Sequence, residues 1–117
     1  MRVNSEIMFG VDIEDSGNLP DYYLDDELRF FLDNFTQSEI EYVLNGNSED
    51  TKKHFTCLFS MKEAIVKANN YYKPRRFNTI EITFSSEGRP MFDGFLLSYG
   101  YANNTCVAVA FLSPESM

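Results

Sequence analysis

Apolar and polar positions follow two different periods along the chain, and the change of period separates strands from helices. Residues 6 to 13 form a mostly apolar run, which predicts a buried first strand. Apolar residues then recur at three- and four-residue steps, as in helices with one buried stripe. The predicted helices are Asp21 to Asn34, Gln37 to about Leu44 and Ser48 to about Asn70. The second of them starts at the capping box Thr36-Gln37-Ser38-Glu39.

The second half of the chain returns to strand patterns separated by short polar turns. Thr79 to Phe84 alternates strictly between apolar and polar residues, which predicts a half-buried strand. A turn at Ser86 to Pro90 precedes a short strand at Met91-Phe92, and the apolar runs Phe95 to Tyr99 and Thr105 to Leu112 follow. Three helices followed by strands on short turns predict an α+β domain, with an antiparallel sheet packed against the long helix.

Composition narrows the classes of function. The chain has 117 residues, which suits a single domain over 1–117, and its 18 acidic and 10 basic side chains give a net charge of −8. Such a chain repels phosphate backbones and anionic lipid surfaces, so we expect neither nucleic-acid binding nor membrane association. No signal peptide is recognisable and no apolar run reaches about 18 residues, which predicts a cytoplasmic protein. Cys57 and Cys106 match no zinc spacing and are expected to be free thiols.

Three carboxylates are the candidate residues for binding a cation. Asp12 and Glu14 stand two residues apart at the end of the first strand, so a period of two points both to the same face. Two neighbouring carboxylates repel each other unless a hard cation lies between them. Glu63 adds a third carboxylate on the long helix, and Lys67 shares its helical face. Taken alone, the pair Glu63 and Lys67 is better interpreted as an ordinary surface ion pair worth about 0.3–0.5 kcal/mol.

Four short motifs in a fixed order carry a resemblance to a known family. They are Gly10-Val11-Asp12-Ile13-Glu14, Phe35-Thr36-Gln37-Ser38-Glu39, Phe59-Ser60-Met61-Lys62-Glu63-Ala64-Ile65-Val66-Lys67 and Gly88-Arg89-Pro90. Over residues 8 to about 112 the chain resembles the 4′-phosphopantetheinyl transferase superfamily. Its length is similar to that of the small holo-acyl-carrier-protein synthases, which form trimers with sites between subunits. Its Asp-x-Glu pair is similar to that of the surfactin-synthetase-activating type.

The resemblance implies a reaction and roles for particular residues. A serine of an acyl or peptidyl carrier protein would attack the β-phosphate of CoA and receive its 4′-phosphopantetheine arm, with Mg²⁺ neutralising the pyrophosphate. The implied metal ligands are Asp12, Glu14 and Glu63, the implied CoA-binding residues are Lys62, Lys67 and Arg89, and the implied catalytic residues are Glu63 and Lys67. The expected partners are CoA, a carrier protein and two further copies of the chain.

Some positions depart from the family pattern and keep other hypotheses open. Leu58 stands where an Arg is usual, Asn69-Asn70-Tyr71 replaces a Gly-rich turn, and residues 97–104 lack the usual His. The predicted first helix is acidic, whereas small synthases use basic residues there to bind an acidic carrier. One alternative is therefore a degenerate member that binds CoA or carrier without catalysis. Another is a chain that completes a site together with a second, related protein.

Overall fold

Five strands, three α-helices and three short 3₁₀ turns make up the part of the chain that the computed structural model describes, residues 7–22, 27–46 and 50–112. The strands are β1 (Met8–Asp15), β2 (Thr83–Phe84), β3 (Pro90–Phe92), β4 (Phe95–Ala102) and β5 (Thr105–Leu112). The helices are α1 (Leu28–Asn34), α2 (Gln37–Leu44) and α3 (Thr51–Ala68). The strands form one antiparallel sheet in the order β1-β5-β4-β3-β2, and α3 packs on β1 and β5. The predicted α+β class is confirmed.

The sheet has a face covered by α3 and an open face, and the side chains of β1 alternate between the two. Gly10 and Asp12 are buried towards α3, whereas Val11 and Ile13 point to the other side and are exposed. The helix lies unusually close to the strand at Gly10. A Cβ atom built there would lie 2.0 Å from the carbonyl oxygen of Ala64 and 2.6 Å from the backbone nitrogen of Ala68, one turn later. Only glycine therefore permits this contact between the two backbones.

The helix ends follow the signals in the sequence. Thr36 Oγ1 accepts a hydrogen bond from the Glu39 amide at 3.1 Å, and a Glu39 carboxylate oxygen accepts one from the Thr36 amide at 2.9 Å. The predicted capping box is therefore confirmed. Helix α1 begins at Leu28 rather than Asp21, although residues 23–26 lie outside the described part, as do residues 47–49 before α3. None of the helices in the described ranges has the length and apolar character needed to cross a membrane.

The strand predicted for Thr79 to Phe84 is mostly wrong, because only Thr83 and Phe84 pair with a neighbouring strand. Ile80 and Ile82 are buried, as the alternating pattern requires. The Ile82 amide, however, donates to Glu39 Oε2 at 2.7 Å instead of to a neighbouring strand. Alternation reports which side chains are buried, and it does not specify which group accepts the backbone hydrogen bonds.

Two-residue turns connect the last strands and hold the end of β1. Asn103 and Asn104 have φ values of 52° and 64° between β4 and β5, the left-handed geometry of a tight hairpin turn. The Ser16 amide donates to the Asn104 carbonyl at 2.8 Å, and Tyr101 Oη lies 3.4 Å from Ser16 Oγ. The chain just beyond β1 is thus fixed to the β4–β5 turn, which limits how far the end of β1 can move.

Lys62 is buried in the core, although the resemblance assigns it to CoA phosphates. Its ammonium donates to Glu39 Oε1 at 2.6 Å and to the carbonyl oxygens of Asn34 and Phe77, each at 2.7 Å. These three bonds use all the hydrogens of the ammonium group. The Lys62 and Glu39 side chains have no exposed surface. In this arrangement Lys62 joins α1, α2 and the segment before β2, and a phosphate in solvent cannot reach it.

Burial governs the ionisation of this pair. It raises the pKa of Glu39 and lowers the pKa of Lys62, while the ion pair between them opposes both shifts. The two charges are tolerated because every hydrogen-bonding group of the pair has a partner. Glu39 therefore has three roles, since it caps α2, accepts the Ile82 amide and neutralises Lys62.

We predict that Gly10→Ala lowers the free energy of unfolding by about 1–3 kcal/mol or more, because the new methyl group must push α3 away from β1. Gly46→Ala is the control, since Gly46 is exposed beyond α2 and a Cβ there meets only the Val43 carbonyl oxygen, at 3.4 Å. The control should stay within about 0.5 kcal/mol of the parent. Urea denaturation measures both. Equal stability of the two variants would contradict the close contact at Gly10.

We predict that Lys62→Met lowers the free energy of unfolding by about 3–5 kcal/mol, because it leaves the buried Glu39 carboxylate without a counterion. Adding Glu39→Gln should restore part of the loss, since no charge then remains buried. Lys52→Met is the control, because Lys52 forms a half-exposed pair with Asp21 and should cost less than about 1 kcal/mol. A Lys62→Met protein that is as stable as the parent but binds CoA more weakly would instead support the CoA-binding role that the resemblance implies for Lys62.

Candidate functional site

Asp12 is the centre of the candidate site. It lies on the covered face of β1, one pleat beyond Gly10, and only 6% of its surface is exposed. Both carboxylate oxygens are hydrogen-bonded by side chains of α3. Ser60 Oγ donates to Oδ2 at 2.9 Å, and Lys67 Nζ donates to Oδ1 at 2.9 Å. A buried carboxylate on a strand is thus held by two residues of the facing helix.

The positions on α3 follow from helical periodicity. Ser60, Glu63 and Lys67 are spaced by three and four residues, so they lie on one face of the helix. The close contact of α3 with β1 turns that face towards Asp12. Helical side chains lean towards the N-terminus of their helix, which allows Lys67 near the last turn to reach back to the strand.

Glu14 and Glu63 complete a cluster of three carboxylates. Burial and the adjacent Asp12 raise the pKa of Glu14 to about 7, with a smaller contribution from Glu63. Burial, followed by the charge of Asp12, also raises the pKa of Glu63. Lys67 opposes both shifts, and its own pKa is raised mainly by the hydrogen bond to Asp12. The structure therefore brings together four of the residues predicted from the sequence.

The cluster supplies the kind of ligands that a hard cation prefers, without forming a closed cage. Within residues 7–22, 27–46 and 50–112, no three His, Cys, Asp or Glu side chains are arranged to hold a metal ion. Mg²⁺ does not require such a cage, because it is usually bound by one or two carboxylates together with phosphate oxygens and water. The mutual repulsion that raises the pKa of Glu14 is the repulsion that a divalent cation would relieve. The residues present therefore fit Mg²⁺ in their chemistry.

Two predicted CoA-binding residues lie outside this cluster. Lys62 is buried in the core, as described above. Arg89 precedes β3, its side chain is 82% exposed, and its charged neighbour Glu87 lies 3.8 Å away. Segment 85–99 lines an open groove of about 700 Å³ that contains Arg89 but no member of the carboxylate cluster. Within one chain, Arg89 and Asp12 belong to different surfaces.

Sequence reasoning missed Ser60, the residue that fixes the second oxygen of Asp12. Ser60 is fully buried, and its hydroxyl also lies 3.3 Å from the Asp12 carbonyl oxygen. The signal was present in the spacing, because Ser60 is three residues before Glu63 and seven before Lys67 on the same helical face. A small polar residue on an otherwise buried stripe needs a hydrogen-bond partner, and Asp12 provides it.

Solved structures with the same fold are holo-acyl-carrier-protein synthases. The synthase from Bacillus anthracis, solved in complex with CoA (3′,5′-ADP), has a TM-score of 0.74 and 21% identity over 91% of this chain and 95% of its own. The synthase from Helicobacter pylori, solved with coenzyme A, has a TM-score of 0.73 and 20% identity over 91% and 99%. The synthase from Plasmodium yoelii has a TM-score of 0.68 and 21% identity over 89% and 91%.

Sequence comparison identifies the family. No curated protein matches the chain significantly in sequence. The model of the 4′-phosphopantetheinyl transferase superfamily, by contrast, matches residues 8–110 of the 117. The match spans the segments that carry all four motifs, and it confirms the resemblance that those motifs indicated. The chain belongs to the 4′-phosphopantetheinyl transferase superfamily.

Proposed function

We propose that this protein transfers the 4′-phosphopantetheine arm of CoA to a serine of an acyl or peptidyl carrier protein. The observation that carries the proposal is the convergence of Asp12, Glu14, Glu63 and Lys67 at the contact between β1 and α3. These residues come from two separate family motifs. The similar structures from Bacillus anthracis and Helicobacter pylori were solved with CoA ligands, which supports CoA as the substrate here.

The reaction places clear demands on the site. The serine oxygen forms a bond to the β-phosphorus of CoA, the pyrophosphate P–O bond breaks, and 3′,5′-adenosine bisphosphate leaves. The serine proton needs an acceptor, and Glu63 is the proposed base because its carboxylate belongs to this cluster. Lys67, whose side chain is 53% exposed, can approach the phosphate oxygens on which negative charge develops.

Mg²⁺ is part of the proposal. When bound, it would neutralise charge on the pyrophosphate. Asp12 and Glu63 would hold it, and Glu14 would be the additional ligand of an Asp-x-Glu site. Ser60 would keep the Asp12 carboxylate in one orientation through the 2.9 Å hydrogen bond to Oδ2. The similarity to the surfactin-synthetase-activating sub-type and the cytoplasmic location both remain predictions.

A homotrimer is the proposed assembly, and the open face of the sheet supports it. On β1 this face carries Phe9, Val11 and Ile13, which are 55%, 42% and 67% exposed. The strand pairings place them beside the outward-facing residues of β5 and β4, namely Val107, Val109, Phe111, Leu96, Ser98 and Gly100. None of these residues is charged. Copies that each carry a net charge of −8 repel one another, so an uncharged apolar face is the favourable surface for association.

One observation favours the alternative of a non-catalytic member. Leu58, on α3, occupies the position where the family usually has an Arg. It is only 2% exposed and packs in the hydrophobic core of the domain. The position therefore contributes apolar packing here and offers no cation to a nucleotide. Such a protein would keep the carboxylate cluster and bind CoA or a carrier without transferring the arm.

We predict that the purified protein, incubated with CoA, Mg²⁺ and candidate carrier proteins, increases the carrier mass by one phosphopantetheine arm, as measured by mass spectrometry. Asp12→Ala and Glu63→Ala should each reduce the transfer rate by about 100-fold or more, because each removes charge stabilisation from the transition state. Glu41→Ala is the control, since Glu41 is an exposed carboxylate on α2. Full activity of either site variant would contradict the assignment. CoA binding without transfer to any cognate carrier would favour the non-catalytic alternative.

We predict that the protein has the mass of three chains in sedimentation equilibrium, and that Val11→Lys converts it to monomers. A lysine in the middle of the apolar face would bury an unpaired ammonium at each subunit contact. Leu32→Lys is the matched control, because Leu32 is an exposed apolar residue on α1 and should leave the mass unchanged. A monomeric parent protein would contradict the homotrimer. Co-purification with a second, related chain would instead support a shared site.

A further inference from the structure

Both oxygens of the Asp12 carboxylate already accept a hydrogen bond in this arrangement. Oδ2 accepts from Ser60 and Oδ1 accepts from Lys67, each at 2.9 Å, and the residue is almost completely buried. Mg²⁺ binds carboxylate oxygens at about 2.0–2.1 Å in a strict geometry. A metal ion on Oδ1 and the Lys67 ammonium on the same oxygen would be two cations at most about 5 Å apart, and they would repel each other. Each cation therefore weakens the binding of the other.

The two partners of Asp12 differ in their freedom to leave. Ser60 is fully buried, on a short side chain that can only reorient its hydroxyl. Lys67 lies near the end of α3, its side chain is 53% exposed, and its four-carbon stem is flexible. Solvent can hydrate the Lys67 ammonium as soon as it separates from Asp12. Oδ1 is therefore the exchangeable position and Oδ2 the fixed one.

The charges around Asp12 explain why a cation stands there at all. Glu14 and Glu63 both interact unfavourably with Asp12, and Lys67 is the cation that lowers the repulsion for both. A divalent ion would do the same with twice the charge. A lysine and a metal ion are thus alternative counterions for one group of carboxylates.

We propose that Lys67 is an exchangeable counterion of Asp12, which holds the metal position in the free protein and is released when CoA phosphates offer it a new partner. The inference rests on the proposed function and concerns how its site is controlled. Mg²⁺ alone competes with Lys67 and binds weakly. Once CoA phosphates attract Lys67, Oδ1 is open to the metal ion. Mg²⁺ and CoA therefore bind cooperatively, each raising the affinity for the other by the same factor.

Isothermal titration calorimetry at pH 8 tests this on the intact protein, with Mg²⁺ titrated in the absence and in the presence of saturating CoA. For the parent protein, CoA should raise the Mg²⁺ affinity by about tenfold or more. In Lys67→Met, Mg²⁺ should bind the CoA-free protein about tenfold more tightly than it binds the parent, and the effect of CoA should shrink. The same reduction should appear when CoA is titrated in the presence and absence of Mg²⁺.

Two further variants separate this effect from general electrostatics and from folding. Lys52→Met removes the same charge from the same helix but far from Asp12 along the chain, and it should leave the Mg²⁺ affinity within about twofold of the parent, as expected for screened surface charges. Lys67→Arg keeps a cation on Oδ1 and should retain weak Mg²⁺ binding without CoA. Thermal unfolding identifies any variant that has lost its fold, and the titrations of the parent protein with and without CoA then still decide the question.

The outcomes distinguish the inference from the function on which it rests. If Lys67→Met and the parent bind Mg²⁺ equally well without CoA, Lys67 is not an exchangeable counterion, although transfer from CoA can still occur. A parent protein that binds Mg²⁺ with the same affinity in both titrations also overturns the inference and leaves the transferase assignment intact. If the parent neither binds CoA nor modifies a carrier, the proposed function fails and the inference fails with it.

Discussion

The contact between the backbones of β1 and α3 at Gly10 is the constraint on which the candidate site depends. A Cβ atom at this position would lie 2.0 Å from the Ala64 carbonyl oxygen, so the helix can rest on the strand only because glycine has no side chain. Asp12 follows one pleat later on the same face. With the helix this close, the short Ser60 side chain reaches the Asp12 carboxylate, and its hydroxyl donates to Oδ2 at 2.9 Å. The glycine of the first motif and the helix of the third therefore specify one geometry.

The two lysines of the third motif have different roles because of their positions on the helix. They are five residues apart, which places them about 140° apart around α3 at 3.6 residues per turn. Lys67 lies on the side of Asp12, and Lys62 lies on the side of Glu39 and the helix α2. The second motif supplies Glu39, which neutralises Lys62. The second and third motifs thus stabilise the core through the buried pair of Glu39 and Lys62, while the first and third build the site through Asp12 and the half-exposed Lys67.

Periodicity in the sequence was sufficient for the fold class, most element positions and the convergence of Asp12 with Glu14. It was not sufficient where a side chain replaces a backbone partner. The Ile82 amide is bonded by the Glu39 carboxylate, so the alternating segment before Phe84 does not pair as a strand over its whole length. In the sequence, Lys62 is a charged residue beside Glu63, and nothing there indicates that it is buried. Its burial is possible because the carbonyl oxygens of Asn34 and Phe77, which are distant along the chain, accept hydrogen bonds from its ammonium group. Hydrogen bonds between distant segments have no local signature. The spacing places Ser60 on the face of Glu63 and Lys67, but it does not identify Asp12 as its partner.

The position of Arg89 links the chemistry of the site to the assembly of the protein. Asp12 is on the edge strand β1, whereas Arg89 precedes β3, which is three strands away in the order β1-β5-β4-β3-β2. At about 4.8 Å between neighbouring strands, the two positions are separated by about 14 Å across the sheet. A single CoA molecule contacting both must span that distance, or else Arg89 must come from a second copy. The uncharged face of the sheet favours association of copies. The oligomeric state therefore decides whether Arg89 and Asp12 belong to one site.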